Sequence, residues 1–149
     1  MGNRAVVKPY NNHIGVYLHW NGGPESIDAF LTYCKLKKFR EFEDAYGLAR
    51  FCQVVGNFFG GELSLGIEEA FEKKDYIGSL DNGIYEVRGW DVVDHITEEN
   101  IEKTDLCPLD TYSYDNLDLV KAINASQPEK EQLDEDYLES EYKKLKNAA

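Results

Sequence analysis

The chain has 149 residues, 42% of them hydrophobic and 13% aromatic, which is enough for one folded domain with a buried core and argues against a wholly disordered chain. Its formal net charge of -12 excludes attraction to free nucleic acid or anionic membranes and favours basic protein surfaces as partners. Residues 1–90 carry 12 acids and 10 bases, whereas residues 91–149 carry 16 acids and 6 bases, so a net -10 falls in the last 59 residues.

Ala5 to Lys8 and Ile14 to Trp20 read as strands, separated by the turn formers Pro9-Tyr10-Asn11-Asn12. In the second strand Val16, Leu18 and Trp20 alternate with Gly15, Tyr17 and His19, giving one buried face and one aromatic, polar face. Asn21-Gly22-Gly23-Pro24 breaks the chain and starts a helix, with Glu25 and Asp28 at the positive end of its dipole and Lys35, Lys37, Lys38 and Arg40 at the negative end. Tyr46 to Gly61 is the longest apolar helical pattern. Leu48, Phe51, Cys52, Val55, Phe58 and Phe59 recur at steps of three and four, and only Arg50, Gln53 and Asn57 stay polar, so this stretch is predicted to be the central helix. Gly60-Gly61 ends it, because glycine enters the left-handed C-terminal conformation without a steric penalty.

Glu62 to Ile67 alternates as a half-buried strand, and residues 68–80 read as a mobile polar connection. Asp81-Asn82-Gly83 is a turn signal leading into strands over Ile84 to Arg88 and Trp90 to Ile96, which predicts an antiparallel meander. Thr97 to Asp105 reads as a short acidic helix, and Leu106 to Leu109 as a loop pinning the tail to the body. Asp115 caps a helix with Leu117, Val120 and Ile123 inward. Pro128 starts a last helix whose Leu133, Tyr137, Leu138, Tyr142 and Leu145 form one stripe, a face that also suits pairing with a second copy in a homodimer. The expected fold class is α+β: an antiparallel sheet of about four to six strands with two helices on one face (residues 1–96), followed by an acidic helical extension (residues 97–149).

No motif names a reaction, and the chain reads as non-enzymatic, without cofactor or metal. His13, His19 and His95 lack HxxxH or HExxH spacing, and Asp134-Glu135-Asp136 lacks the glycine and spaced oxygens of an EF-hand loop. Cys34, Cys52 and Cys107 form no CxxC; they are read as reduced thiols in a cytoplasmic protein, and the first two as core residues rather than nucleophiles partnered by His19. No apolar run approaches the ~18 residues of a membrane span. A ligand site is readable at Tyr17, His19, Trp20, Gly22 and Gly23, where an aromatic face ends at a glycine turn suited to a planar or phosphorylated, nucleotide-like molecule.

The acidic tail is the strongest functional signal. From Glu129 to Glu141, seven carboxylates (Glu129, Glu131, Asp134, Glu135, Asp136, Glu139, Glu141) face a single lysine, and Asp105, Asp110, Asp115 and Asp118 extend the surplus. On one helix this would place roughly one charge per 3 Å of axis, close to the ~3.4 Å of a single DNA strand. Glu139 to Lys143 and Glu141 to Lys144 pairs would offset part of it.

The opening MGNRAV, the YLHWNGGPES turn, the ARFCQVVGNFFGG helix and DNGIYEV resemble a group of small proteins carried by phages and integrative elements of Gram-positive bacteria, over about residues 1–93. The resemblance carries over no catalytic residue. It implies a context in which small acidic proteins disarm host nucleases, as anti-CRISPR and anti-restriction proteins do. The expectation is therefore an inhibitor in the host cytoplasm whose partner is a basic nucleic-acid-binding protein, such as a CRISPR effector nuclease.

Overall fold

The computed structural model describes residues 2–109 and 114–148. It is an α+β fold in which five strands and five helices follow the chain as β1 (Ala5–Pro9), β2 (Ile14–Leu18), α1 (Pro24–Leu36), α2 (Ala45–Phe58), β3 (Leu65–Glu69), α3 (Lys74–Gly78), β4 (Ile84–Arg88), β5 (Asp91–Ile96), α4 (Leu117–Ala125) and α5 (Glu135–Asn147), with a 3-10 turn at Glu129–Glu131.

The strands form one sheet in the order β3-β2-β1-β4-β5. Its neighbours are antiparallel except β1 and β4, which run parallel, so the sheet is mixed and not the antiparallel meander expected. The cause lies in the 81–83 turn. Arg4 donates its backbone N–H and its Nε to the Asp81 carboxylate at 2.9 and 3.1 Å, and the Asn82 N–H donates to the Arg4 carbonyl at 2.9 Å. These bonds fix the start of β4 beside the start of β1, and β4 then runs in the same direction. The connection over residues 70–83 must therefore cross beneath β2 and β1. It contains α3, so it is ordered where a mobile segment was expected.

The crossover covers one sheet face, where Val6, Ile84 and Ile96 pack on Ala70, Ile77 and Leu80. Lys8 lies on the same face, 3% exposed, donating to Glu86 Oε2 at 2.5 Å and to the Asn12 carbonyl at 2.9 Å. A buried charge persists only when paired and hydrogen-bonded in this way.

The larger core lies on the other face, between Ala5, Val7, Val16, Leu18, Tyr85 and Val87 of the sheet and the helices. Its centre is α1, not α2. Nine residues of α1 are buried, including Asp28, Thr32 and Tyr33, whereas α2 buries Gly47, Phe51, Val54 and Val55 and leaves Leu48, Cys52 and Phe58 half-covered. Helix α1 touches α2, α4 and α5 together. Val120, Ile123, Leu138 and Tyr142 of the segment after residue 96 enter this same core. Helix α2 is capped by Asp44, whose carboxylate accepts from the N–H groups of Tyr46 and Gly47. It ends before Gly60 and Gly61 at φ of +67° and +92°, as the glycine pair predicts.

Three details of the tail depart from expectation. Residues 97–105 form turns and no helix. Asn116, not Asp115, occupies the N-cap of α4. The last helix begins after Asp134, not at Pro128, because the Asn124 side chain grips the main chain of Leu133, accepting from its N–H at 2.8 Å and donating to its carbonyl at 2.9 Å. Asp134 then caps α5 by accepting from the Tyr137 N–H.

Asn124 Oδ1 also accepts from the buried Tyr33 hydroxyl at 2.8 Å. Asn124→Ala strips three hydrogen bonds and leaves that hydroxyl unpaired in the core, so it should cost about 2–4 kcal/mol. Urea unfolding monitored by circular dichroism checks this; Asn124→Asp, which keeps the acceptor, should lose less.

Candidate functional site

The helical layer sets where the carboxylates stand. Asp28 of α1 has a side chain sealed from solvent. Its Oδ2 accepts from Asn116 Nδ2 at 2.9 Å and from Lys146 Nζ at 3.0 Å. Asn116 Oδ1 accepts from the Tyr142 hydroxyl at 2.8 Å, and that hydroxyl accepts from the Asn116 N–H at 2.9 Å. One network thus ties α1, the start of α4 and the end of α5. Burial raises the Asp28 carboxyl above the ordinary range, and Lys146 and then Asn116 oppose that shift. The sequence placed Asp28 at the positive end of the α1 dipole, and the structure also buries it.

With the last turns of α5 held in this way, Leu133, Leu138, Tyr142 and Leu145 face the core, while Tyr137 turns outward. Of the apolar stripe read as a dimer face, Leu133, Leu138, Tyr142 and Leu145 are thus covered within the chain and Tyr137 is not. The opposite side of α5 and the preceding turn carry the acids. Glu129, Glu131, Asp134, Glu135 and Asp136 are exposed, and Glu139 and Glu141 are half-buried.

The acids divide by partner. Glu135 and Glu139 each lie 3.6 Å from Lys121, and Glu139 also lies 3.8 Å from Lys143. Glu141 meets Lys144 at 3.0 Å. Glu131 meets Lys37 at 3.9 Å, and the Lys37 ammonium also donates to the Glu131 carbonyl. Asp105, Asp115, Asp118, Glu129 and Asp136 are exposed and enter no ion pair among the described residues. Asp110 lies outside the described residues. The acids of residues 129–141 are therefore spread over two short helical pieces with a bend at 132–134, not along one straight helix, and of these Glu129, Asp134 and Asp136 are exposed without an ion pair among the described residues.

The basic cluster at the end of α1 is spent on local pairs. Lys35 meets Asp91 at 2.6 Å, Lys37 holds Glu131, and Arg40 lies 3.7 Å from Asp44. Sequence reading gave it to the helix dipole alone and missed a cleft of about 470 Å³ beside it, between α1, α2 and the 127–131 turn, rimmed by Lys37, Arg50, Lys130 and Glu131.

The second candidate site is assembled in part. Tyr17 and His19 share a hydrogen bond of 2.8 Å, and Trp20 meets His19 edge-on at 4.7 Å, beside an open recess of about 470 Å³ also lined by Glu62, Leu63 and Ser64. Gly22 and Gly23 do not line it. Gly22 is packed under β1, where an added Cβ would come within 2.5 Å of the Asn3 carbonyl oxygen, and its own carbonyl accepts from the buried Tyr85 hydroxyl. Its role is close approach.

Cys34 is buried, and burial pushes its thiol well above the usual range, as burial also does to a lesser extent for Cys52. Among the described residues no group of three His, Cys, Asp or Glu side chains gathers to hold a metal, and no helix is long and apolar enough to cross a membrane.

Lys146→Met removes the cation from the Asp28 network. Ionised Asp28 needs that cation and protonated Asp28 does not, and its raised folded pKa means that the ionised form already weighs against folding as pH rises through and above the ordinary carboxylate range. The variant's deficit in melting temperature against wild type should therefore be larger at neutral pH than near pH ~4, the ordinary aspartate range. Paired thermal melts at the two pH values check this. No family model, no curated protein and no solved structure matches this chain.

Proposed function

We propose that this protein is a non-enzymatic inhibitor that presents a carboxylate face to the basic nucleic-acid groove of a host effector nuclease, a CRISPR effector or a related defence enzyme, in place of the nucleic acid. One observation carries the reading. Between residues 129 and 136 five carboxylates (Glu129, Glu131, Asp134, Glu135, Asp136) are all exposed, and three of them, Glu129, Asp134 and Asp136, enter no ion pair among the described residues, while Lys37 reaches Glu131 and Lys121 reaches Glu135. The helix behind them is locked by the Asp28 network and by the Asp134 cap, so the charges are held in place before a partner arrives, which lowers the ordering cost of binding. Effectors of this kind read DNA with arginine and lysine, and a groove of that charge attracts a preorganised polyanion.

The aromatic recess supports a second reading, a site for a planar, nucleotide-like ligand, because Tyr17, His19 and Trp20 do converge there. A nucleotide that raises the melting temperature would favour it, whereas the decoy gains nothing from free nucleotide.

The decisive experiment is DNA cleavage by a purified effector nuclease with this protein as competitor. Inhibition should be strong at low salt and fall steeply as salt rises. Glu129→Lys with Asp136→Lys, two acids that neither cap a helix nor pair with a lysine among the described residues, should raise the inhibitor concentration required about tenfold or more. Full potency in the double variant, or inhibition indifferent to salt, would remove the acidic face from the interaction.

A further inference from the structure

The two edges of the sheet are treated differently. Along β5 the His95 N–H donates to the Cys107 carbonyl at 2.8 Å, and the Cys107 N–H donates to the Asp94 carboxylate at 2.9 Å, so that edge is covered by the chain that follows. At the other end β3 has a neighbour on one side only. In an antiparallel ladder alternate residues direct both N–H and C=O toward the partner strand. The Ser64 carbonyl accepts from the His19 N–H and the Ala70 N–H donates to the His13 carbonyl, so the even-numbered residues of this segment bond to β2. The main-chain groups of Leu65, Ile67 and Glu69 therefore point away from the sheet.

Apolar side chains gather at this open edge. Ile14, Trp20, Leu63, Ile67 and Phe71 are five of the eight large apolar side chains exposed among the described residues, with Leu63 fully exposed and Ile67 at 62%. Natural edge strands usually carry lysine, proline or a bulge as a guard. Residues 63–71 contain none of the first two, and no irregularity interrupts the β2–β3 register.

The segment is complementary to itself in one register. Two copies placed antiparallel about a two-fold axis through Ile67 bring Ile67 opposite Ile67, Leu65 opposite Glu69, Gly66 opposite Glu68 and Leu63 opposite Phe71. No carboxylate faces another carboxylate within this span, and every outward N–H and C=O of Leu65, Ile67 and Glu69 meets another outward group. A two-fold through Glu69 would oppose that carboxylate to its own copy, and one through Leu65 would oppose Glu68 of β3 to Glu62; in the Ile67 register the facing acids, Glu62 and Glu72, lie beyond both ends of β3, so charge favours that register.

We propose that β3 is the pairing edge for a second copy of this chain, joining two five-stranded sheets into one of ten strands. Both copies are strongly negative, so the association tightens as salt screens their repulsion, opposite in sign to the salt dependence of the decoy interaction. The two proposals can thus fail separately.

Sedimentation and light scattering of the full chain across a concentration series test this. The wild type should pass from one to two copies as concentration or salt rises, with Ile67→Val behaving alike. Ile67→Glu, which sets two carboxylates face to face on the axis, should weaken association about tenfold or more while keeping the circular dichroism spectrum, because the side chain it replaces is exposed. Hydrogen exchange should show the amides of Leu65, Ile67 and Glu69 slowing with concentration while those of Gly66 and Glu68 are protected throughout. A wild type that stays monomeric with those three amides in fast exchange, or an Ile67→Glu variant that associates as tightly, overturns the proposal.

Discussion

The helical layer depends on a carboxylate that water does not reach. Asp28 loses hydration in the core, and its charge is tolerable only because Asn116 and Lys146 arrive from two distant segments to donate to the same oxygen. Removing any one partner leaves a buried group short of hydrogen bonds, so the three segments stand or fall together. Such a network adds little net stability over an apolar junction of equal volume. What it supplies is register. Apolar packing alone would allow α5 to slide or rotate over α1, whereas Lys146 on the Asp28 carboxylate and Tyr142 on Asn116, itself bonded to that carboxylate, fix both its height and its rotation.

That fixation matters because charge, not shape, distinguishes the outer surface. Two bases of residues 1–90 anchor acids of the later segment, Lys35 with Asp91 and Lys37 with Glu131, while Arg4, Lys8 and Arg40 pair with acids of their own segment. The lysines of the tail neutralise the middle and end of α5 through Lys121, Lys143 and Lys144. At the beginning of α5 and the turn before it, Glu129, Asp134 and Asp136 enter no ion pair among the described residues, and neither do Asp105, Asp115 and Asp118 earlier in the tail.

Local periodicity made most elements readable in advance, and tertiary chemistry decided what was not. The alternation in residues 14–18 and the spacing of Phe51, Val55 and Phe58 placed β2 and α2 within a residue or two. The centre was misassigned because α1 carries Asp28, Thr32 and Tyr33, polar residues that a one-dimensional pattern assigns to solvent but that α4 and α5 cover. The start of α5 was displaced because Asn124, nine residues away, holds Leu133 extended, and no helix propensity in residues 128–134 records that. The parallel pairing of β4 was hidden for a similar reason, since it is fixed by the Arg4 contact with Asp81 across 77 positions. Of the ligand-site residues, the aromatic trio was legible from strand alternation, whereas Gly22 looked like a binding turn and proved to be a contact position under Asn3 and Ala5.

The open edge and the acidic face follow from one feature of chain order. After β3 the chain leaves at Ala70 beneath the sheet and returns on the far side of β1, so nothing later in sequence comes back past β3. After Ile96 the chain first packs Ile101 against the crossover, then pairs Cys107 with β5, and the described residues from Asn116 onward lie over the helices. Covering the β5 edge therefore draws the charge-rich segment to the helical side of the molecule and leaves the apolar strand exposed at the other end. A chain that continued from β3 directly into an adjacent strand would have closed that edge by itself. The crossover that makes the sheet mixed is thus also what separates an apolar, strand-pairing end from an acidic, helical one.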